Sequence, residues 1–149
     1  LVRTRIREAL LARLSQLSDY TVLANALYPL APQDLPALTV ILDKETRVPD
    51  ASTLGKEGDC VQTYELPVVI EGIVQATENL HRLLEDMALD VMRVMLEDPT
   101  LGGLCKSLRW DSGIELIPSS EGEQPIGKLR LVGTVLYRVA ESAPDMPLR

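Results

Sequence analysis

Two segments of the chain carry apolar residues at the spacing of an amphipathic helix. In residues 2–17 the apolar positions recur every three or four residues, at Val2, Ile6, Ala9, Leu10, Leu14 and Leu17. A longer stripe follows the same rule at Leu80, Leu83, Leu84, Met87, Ala88, Val91, Met92 and Met95. Thr77 is placed to cap this second helix, and Asp98-Pro99 ends its pattern. The sequence therefore predicts two helices, each with one face directed at a core.

Between and after these helices the pattern favours strands. The segments rich in β-branched and alternating apolar residues are residues 38–42, 60–74, 107–117 and 128–140, with a weak strand in 20–28. Pro67 interrupts one of them and predicts an edge position or a bulge, because proline cannot donate to the ladder. The polar stretch 118–125 predicts a long hairpin loop, and residues 43–59 predict a long, exposed polar loop.

The order of these elements predicts the fold class. Strands that follow one another without an intervening helix pair antiparallel. We therefore expect an α+β, two-layer fold in which a mixed or mainly antiparallel sheet carries both amphipathic helices on one face. Residues 1–141 form the expected single domain, and residues 142–149, with two prolines, are expected to be a flexible C-terminal tail.

Composition narrows the function. A chain of 149 residues with 46% hydrophobic residues can bury a core without disulfides or metals. The formal net charge of −7 argues against nucleic acid as the main partner. No run approaches the roughly 18–20 apolar residues that span a bilayer, so no membrane partner is expected. Two separated cysteines and one histidine lack a zinc ligand set, and reduced thiols in the cytosol are expected.

Signatures of catalysis are missing. The sequence contains no GxGxxG after a strand, no Walker loop, no HExxH and no GxSxG. His81 and Glu85 are four residues apart on the polar helix face, where surface solvation is the favoured interpretation over a general base. Cys60 and Cys105 lack a neighbouring histidine and are interpreted as buried thiols. Trp110 is interpreted either as core or as an anchor in a subunit contact. We expect no enzyme and no cofactor.

Charge is distributed unevenly along the chain. The first helix carries four arginines, at Arg3, Arg5, Arg7 and Arg13, whereas the rest of the chain is acidic. A basic helix on an acidic body suits a head-to-tail contact between copies, in which one surface meets a different surface of the neighbour. A solvated helix face is an equally good interpretation of the same pattern.

The second helix and the segment after it resemble the bacteriophage minor tail protein U family, the tail terminators. The resembling stretch runs from the helix of residues 80–95 through Val94-Met-Leu-Glu-Asp-Pro-Thr-Leu-Gly-Gly-Leu104 to strands ending in Leu129-Arg-Leu-Val-Gly-Thr-Val-Leu-Tyr137. The family also opens with an amphipathic helix, followed by a strand preceded by proline, as in Leu35-Pro-Ala-Leu-Thr-Val40, and a long polar loop. The order of elements is similar over about 130 residues.

The resemblance implies a structural protein of a phage or prophage tail. Such proteins form a hexameric ring that caps the tail tube at full length, stops its polymerisation and provides the surface that joins the head. The implied partners are further copies of the chain, the tail tube protein and a head-completion or connector protein, in a virion tail assembled in the bacterial cytoplasm. Residues expected at subunit or tube contacts are Arg3, Arg7, Glu45, Arg47, Lys56, Glu57, Glu121 and Glu123.

Two other functions stay open from the residues alone. One is a small-molecule-binding α+β regulatory domain with its ligand between helix and sheet, which requires a pocket with converging polar groups. The other is an enzyme that uses Cys60 or Cys105 as a nucleophile.

Overall fold

The computed structural model describes residues 1–24, 34–48, 53–54, 60–76, 78–111, 115–119 and 126–148. Its helices are α1 (Val2–Leu14) and α2 (Leu80–Leu96). Its strands are β1 (Thr21–Leu23), β2 (Ala37–Leu42), β3 (Thr46–Arg47), β4 (Thr53–Leu54), β5 (Cys60–Gln75), β6 (Ser107–Trp110), β7 (Glu115–Ser119), β8 (Ile126–Ala140) and β9 (Ala143–Leu148). Both helices and this one mixed sheet form an α+β fold, as the order of elements predicts.

The centre of the sheet is the antiparallel pair of β5 and β8, which stay in register from Val61 opposite Ala140 to Gln75 opposite Ile126. On the outer side of β5 lie β2, β3 and β4 in succession, all antiparallel to it. On the outer side of β8 lie β7, β6 and β9, also antiparallel. β1 adds to β2 in parallel. Most of the described sheet is therefore four strands wide.

One face of the sheet, the inner face, carries both helices. Along β8 every second residue is buried, and the core members alternate with more accessible positions as a strand's period of two requires. Four apolar residues of α1 spaced by four, Val2, Ile6, Leu10 and Leu14, pack on the same core as Leu84, Met87, Ala88, Val91, Val94 and Met95 of α2. The expected placement of both helices on one face is confirmed.

Helix α2 approaches the sheet closely at two glycines. A Cβ atom on Gly127 would lie 2.7 Å from Cδ1 of Leu84, and one on Gly72 would overlap the Met87 thioether. At both points the helix lies directly on the strands, because glycine has no side chain to hold it away. This is the space in which the alternative regulatory-domain hypothesis would place a ligand.

Several boundaries differ from the sequence-based expectation. Helix α1 ends at Leu14 rather than residue 17, and the strand expected over 107–117 is divided into β6 and β7. The loop expected over 43–59 contains the two short strands β3 and β4. The expected N-cap, Thr77, and most of the hairpin loop 118–125 lie outside the described residues; Asn79, with φ 58°, precedes α2.

Pro67 lies in a central strand, so its expected place at an edge or bulge is wrong. Along β5, the pairing with β2 ends at Val68 and the pairing with β3 begins at Glu65. Pro67 lies in the gap between these two paired stretches. Its carbonyl accepts a bond from the Asp43 amide across that gap, 3.0 Å long. A strand residue directs its N–H and C=O to the same side, so the missing donor also faces the gap and no ladder bond is lost.

The segment after residue 141 differs as well. Instead of a frayed tail, residues 143–148 form β9, which pairs with the end of β8 through a register shift next to Val139. The hydrogen bond from the Arg5 guanidinium to the Asp145 carbonyl, at 3.4 Å, links this strand to α1.

Candidate interaction site

Two tyrosines stack at one end of the inner face. Tyr64 on β5 is the register partner of Tyr137 on β8, and their ring centroids are 5.5 Å apart at an interplanar angle of 20°. Tyr137 is buried and belongs to the core. Stacked rings on neighbouring strands form a rigid platform, because each aromatic side chain has few rotatable bonds and a large contact area.

The Tyr137 hydroxyl donates a hydrogen bond to Oε2 of Glu45, which lies between β2 and β3. Burial raises the pKa of Tyr137, and the bond to Glu45 and its negative charge raise that pKa further. The charge of Arg3 acts in the opposite direction on the same hydroxyl. Tyr137 therefore keeps its proton and holds the Glu45 carboxylate against the end of the sheet.

A small cavity of about 110 Å³ lies beside this pair. Its lining includes Arg3 and Val2 of α1, Glu45, both tyrosines, Val139 and Pro144. Arg47 follows on β3, where it is the register partner of Tyr64. Three of the residues expected from the sequence, Arg3, Glu45 and Arg47, are thus brought to one end of the molecule around an aromatic pair.

The fourth expected residue in the described ranges, Arg7, lies elsewhere. Its guanidinium donates to the Ala24 carbonyl after β1. Arg13 lies 3.5 Å from Asp98 and 3.7 Å from Glu97, beyond the end of α2. The arginines of α1 therefore reach different parts of the same chain, and they do not form one free basic stripe.

The other expected contact residues, Lys56, Glu57, Glu121 and Glu123, lie outside the described residues. Glu45 and Arg47 begin the segment that leads to Lys56 and Glu57. The residues around Tyr64 and Tyr137 form the base of that segment.

The cavity beside the tyrosine pair is small. A cavity of about 110 Å³ is well below the several hundred Å³ of ordinary small-molecule pockets. Within the described ranges, His, Cys, Asp and Glu side chains nowhere gather in threes as a metal site needs. Neither described helix is long and apolar enough to cross a membrane.

The two cysteines occupy different environments. Cys105 is buried, and burial together with the charge of Asp98 raises the pKa of its thiol to about 11. A thiol with so high a pKa is a weak nucleophile at neutral pH. Cys60 is half-buried, and its sulfur accepts a bond from the Gln62 amide at 3.1 Å.

The turn after α2 is organised by a carboxylate. Asp98 accepts bonds from the Gly102 amide at 2.7 Å and from the Thr100 hydroxyl at 3.0 Å. Burial opposes ionisation of Asp98, but these bonds and Arg13 lower its pKa. Gly102 and Gly103 adopt φ of 72° and 89°, values that glycine accommodates without strain in a turn after a helix.

Tyr64 was not expected at the site from the sequence. Its pairing with Tyr137 depends on the register of β5 against β8, which a long apolar strand does not specify by itself. The sequence does contain one signal that points to this pair: two of the four tyrosines lie in the two longest strands. Trp110 is half-buried against the core, above Gly133.

Comparisons with known proteins add no relative. A scan against models of protein families found no match to this chain, and a search of curated proteins found none either.

Proposed function

We propose that this chain is a tail terminator of a phage or prophage. In this proposal copies of the chain form a ring, six in number, that caps the tail tube, ends its polymerisation and presents the surface to which the head is joined. Its partners are other copies, the tube protein and a head-completion protein. In this role the chain acts by binding its partners, and no covalent bond is made or broken.

The order of elements carries the proposal. The family's order is an amphipathic helix, a strand preceded by proline, a long polar segment, a second amphipathic helix and closing strands. This chain has the same order, with Pro36 before β2, Asp98-Pro99 after α2, and the long strand β8 near the end. The α+β architecture agrees with this resemblance.

The site at the end of the sheet supports the proposal at two of the expected contact residues, Glu45 and Arg47. Glu45 is fixed by Tyr137, and Arg47 is paired in β3, so the segment that follows starts from a rigid base. A loop gains affinity for a partner when its ends are held, because less conformational entropy is lost on binding. We assign Glu45, Arg47, Lys56 and Glu57 to contacts with the tube or a neighbouring copy.

Native mass spectrometry over a series of protein and salt concentrations tests the ring. We expect a discrete species of six chains, alone or when the tube protein is present. A protein that never exceeds two chains under either condition would contradict the proposal.

Arginine variants test the contact residues separately from the ring. Arg3→Glu with Arg7→Glu should weaken assembly, and the exposed Arg82→Glu on α2 is the matched control. Because Arg7 binds the Ala24 carbonyl within the chain, thermal unfolding of each variant has to be compared. If the double variant forms rings as well as the wild type does, these arginines are not part of the interface.

A further inference from the structure

Helix α2 carries exposed leucines on the side that faces away from the sheet. Half of the large apolar side chains that are exposed in the described residues lie on this helix, at Leu83, Leu89 and Leu96. Leu89 is 46% exposed and Leu96 is 66% exposed, and the two lie on one line along the helix, about two turns apart. Single exposed leucines are ordinary, whereas a row of them on one helix face is typical of a surface that packs on a partner.

Charged residues flank the line through Leu89 and Leu96, the leucine line, on one side. At about 100° per residue, four exposed charged residues of α2 fall on that side: Arg82, Asp86, Arg93 and Glu97. In chain order their signs are positive, negative, positive and negative. The exposed face of α2 therefore combines an apolar line with an ordered row of charges.

These charges are not satisfied within the helix. Each arginine precedes an acid by four residues, and this order is the less favourable one for a pair along a helix. Within the described residues Asp86 and Arg93 have no ion pair. Glu97, which is 63% exposed, lies 3.7 Å from Arg13. A partner can therefore bind Asp86 and Arg93 without breaking an ion pair inside the chain.

The row of charges is symmetric about the middle of α2. Arg82 and Glu97 are equally far along the helix from a point just after Leu89. Asp86 and Arg93 are equally far from the same point. A two-fold axis through that point, at right angles to the helix, reverses the direction of the helix and keeps the charges on the same side of the leucine line. It places Asp86 of one copy beside Arg93 of the other.

We propose that α2 packs antiparallel on α2 of a second copy of this chain, as an isologous dimer about that axis. Helices packed in this way lie about 8–10 Å apart. The two Leu89 side chains meet at the axis, and Leu96 covers the aliphatic part of Arg82 of the other copy. Two pairs of Asp86 and Arg93 flank the leucines. The contact is self-complementary, as a two-fold interface requires.

The charges select the antiparallel arrangement. A two-fold axis along the helices would place each residue beside its own copy, so that Asp86 meets Asp86 and Arg93 meets Arg93. Like charges placed opposite each other weaken an interface. The leucines contribute apolar area in either arrangement, whereas the charges favour only the antiparallel one.

The size of the helix face determines the strength of the contact. α2 has 17 residues, so at 1.5 Å per residue it is about 25 Å long, and with a diameter of about 10 Å it offers on the order of 250 Å². Each partner of a standard interface contributes about 800 Å². We therefore expect a weak dimer that exchanges with the monomer and forms at high protein concentration.

This inference goes beyond the proposed function. A closed ring of six copies uses head-to-tail contacts between unlike surfaces, whereas the pairing of α2 uses one surface twice. Arg82→Glu distinguishes the two contacts, because it should weaken the pairing of α2 and leave rings unchanged. Arg3→Glu with Arg7→Glu should have the opposite effect.

Two single charge reversals test the pairing. In Asp86→Arg the proposed dimer brings four bases together, and in Arg93→Asp it brings four acids together. Each variant alone should have a dimer dissociation constant about tenfold higher than wild type or more, measured by sedimentation equilibrium up to millimolar concentration. When the two variants are mixed, every base faces an acid again, so a heterodimer should form. Sedimentation of a mixture in which one variant carries a fluorescent label identifies that species.

The mixture separates the contact between chains from effects within one chain. Mixing cannot repair a defect inside a chain, whereas it repairs a contact between chains. Asp86 and Arg93 are both exposed, so circular dichroism should show that each variant folds like the wild type.

A pair of leucine variants tests the apolar part of the contact. Leu89→Gln should raise the dimer dissociation constant about tenfold or more, because Leu89 lies at the axis. Leu83→Gln is the matched control. Leu83 is 41% exposed, close to the value for Leu89, but it lies about 120° around the helix and outside the contact. The control should therefore dimerise like the wild type.

Four results would overturn the proposal. They are a wild-type protein without α2 pairing at millimolar concentration, charge variants that pair as well as wild type, a mixture that forms no heterodimer, and equal losses in Leu89→Gln and Leu83→Gln. Loss of rings with retained pairing of α2 would instead contradict the proposed function alone.

Discussion

Glu45 accepts a hydrogen bond from Tyr137 and so joins the chain segment after β2 to the central strand β8. These residues are 92 positions apart in the sequence. The bond fixes the base of a charged segment on the central strand pair, at one end of the sheet. This relationship connects the fold to the proposed contact with a tail tube.

Removing the Tyr137 hydroxyl should destabilise the fold. Tyr137→Phe leaves the Glu45 carboxylate without its donor, and we expect the free energy of unfolding to fall by about 1–2 kcal/mol in urea titration. Tyr64→Phe is the control, because within the described residues its hydroxyl has no hydrogen bond. Equal losses in both variants would show that the Glu45 contact contributes nothing.

Stability should decrease in alkaline solution. Burial and bonds to Asp90 and Glu45 raise the pKa of Tyr20 and Tyr137 above their ordinary value. Above about pH 10 the unfolded chain releases these protons while the folded chain keeps them, so the free energy of unfolding falls as pH rises. The double variant Tyr20→Phe/Tyr137→Phe should have a flatter pH dependence, and an unchanged slope would count against this account.

A methyl group at Gly133 should be poorly tolerated. A Cβ atom there would lie 2.8 Å from the Arg109 carbonyl oxygen and 2.9 Å from Cε3 of Trp110. Backbone of β6 cannot move aside without breaking its ladder with β8, so Gly133→Ala should reduce the free energy of unfolding by about 1–3 kcal/mol. At Gly127 the nearest atom is the end of the flexible Leu84 side chain. Gly127→Ala should therefore lose less, and the reverse order would contradict the geometry.

The turn at Asp98 should be more sensitive to substitution than its neighbour. Asp98→Ala removes acceptors for Gly102 and Thr100 and should reduce stability by about 1 kcal/mol. Glu97 is 63% exposed and 3.7 Å from Arg13, so Glu97→Ala should change stability by less than about 0.5 kcal/mol. Chemical denaturation of both variants checks the difference, and similar losses would disprove the role of the turn.

Thiol reactivity distinguishes the cysteines. With its pKa raised to about 11 and its side chain buried, Cys105 should not react with a disulfide reagent until the protein unfolds. In Cys60→Ser the remaining thiol should titrate only in denaturant. Rapid reaction of that variant in the folded state would return a nucleophilic cysteine to consideration.

The helices and the central strands could be predicted from the sequence because one apolar period runs through each of them. One buried face is indicated in α2 by the apolar stripe from Leu84 to Met95, and in β8 by the alternation from Leu129 to Val139. The order of elements also predicted correctly that both helices pack on one face of the sheet.

Elements determined by distant partners could not be predicted in this way. Pro67 departs from the rule that proline avoids central strands. It is tolerated there because β2 ends and β3 begins beside it. β9 has little strand character of its own and forms against Arg138 and its neighbours on β8. The site could likewise be predicted only in part. Arg3 and Glu45 were expected as contact residues, but their common position beside Tyr64 and Tyr137 depends on the register of the strands.

Electron microscopy of growing tail tubes tests the central claim most directly. The protein would be added to purified tube protein of the same phage while tubes polymerise. The account predicts a ring of six chains at one end of each tube and an end to further growth. Tubes that continue to lengthen, with bare ends at a saturating amount of this protein, would contradict it.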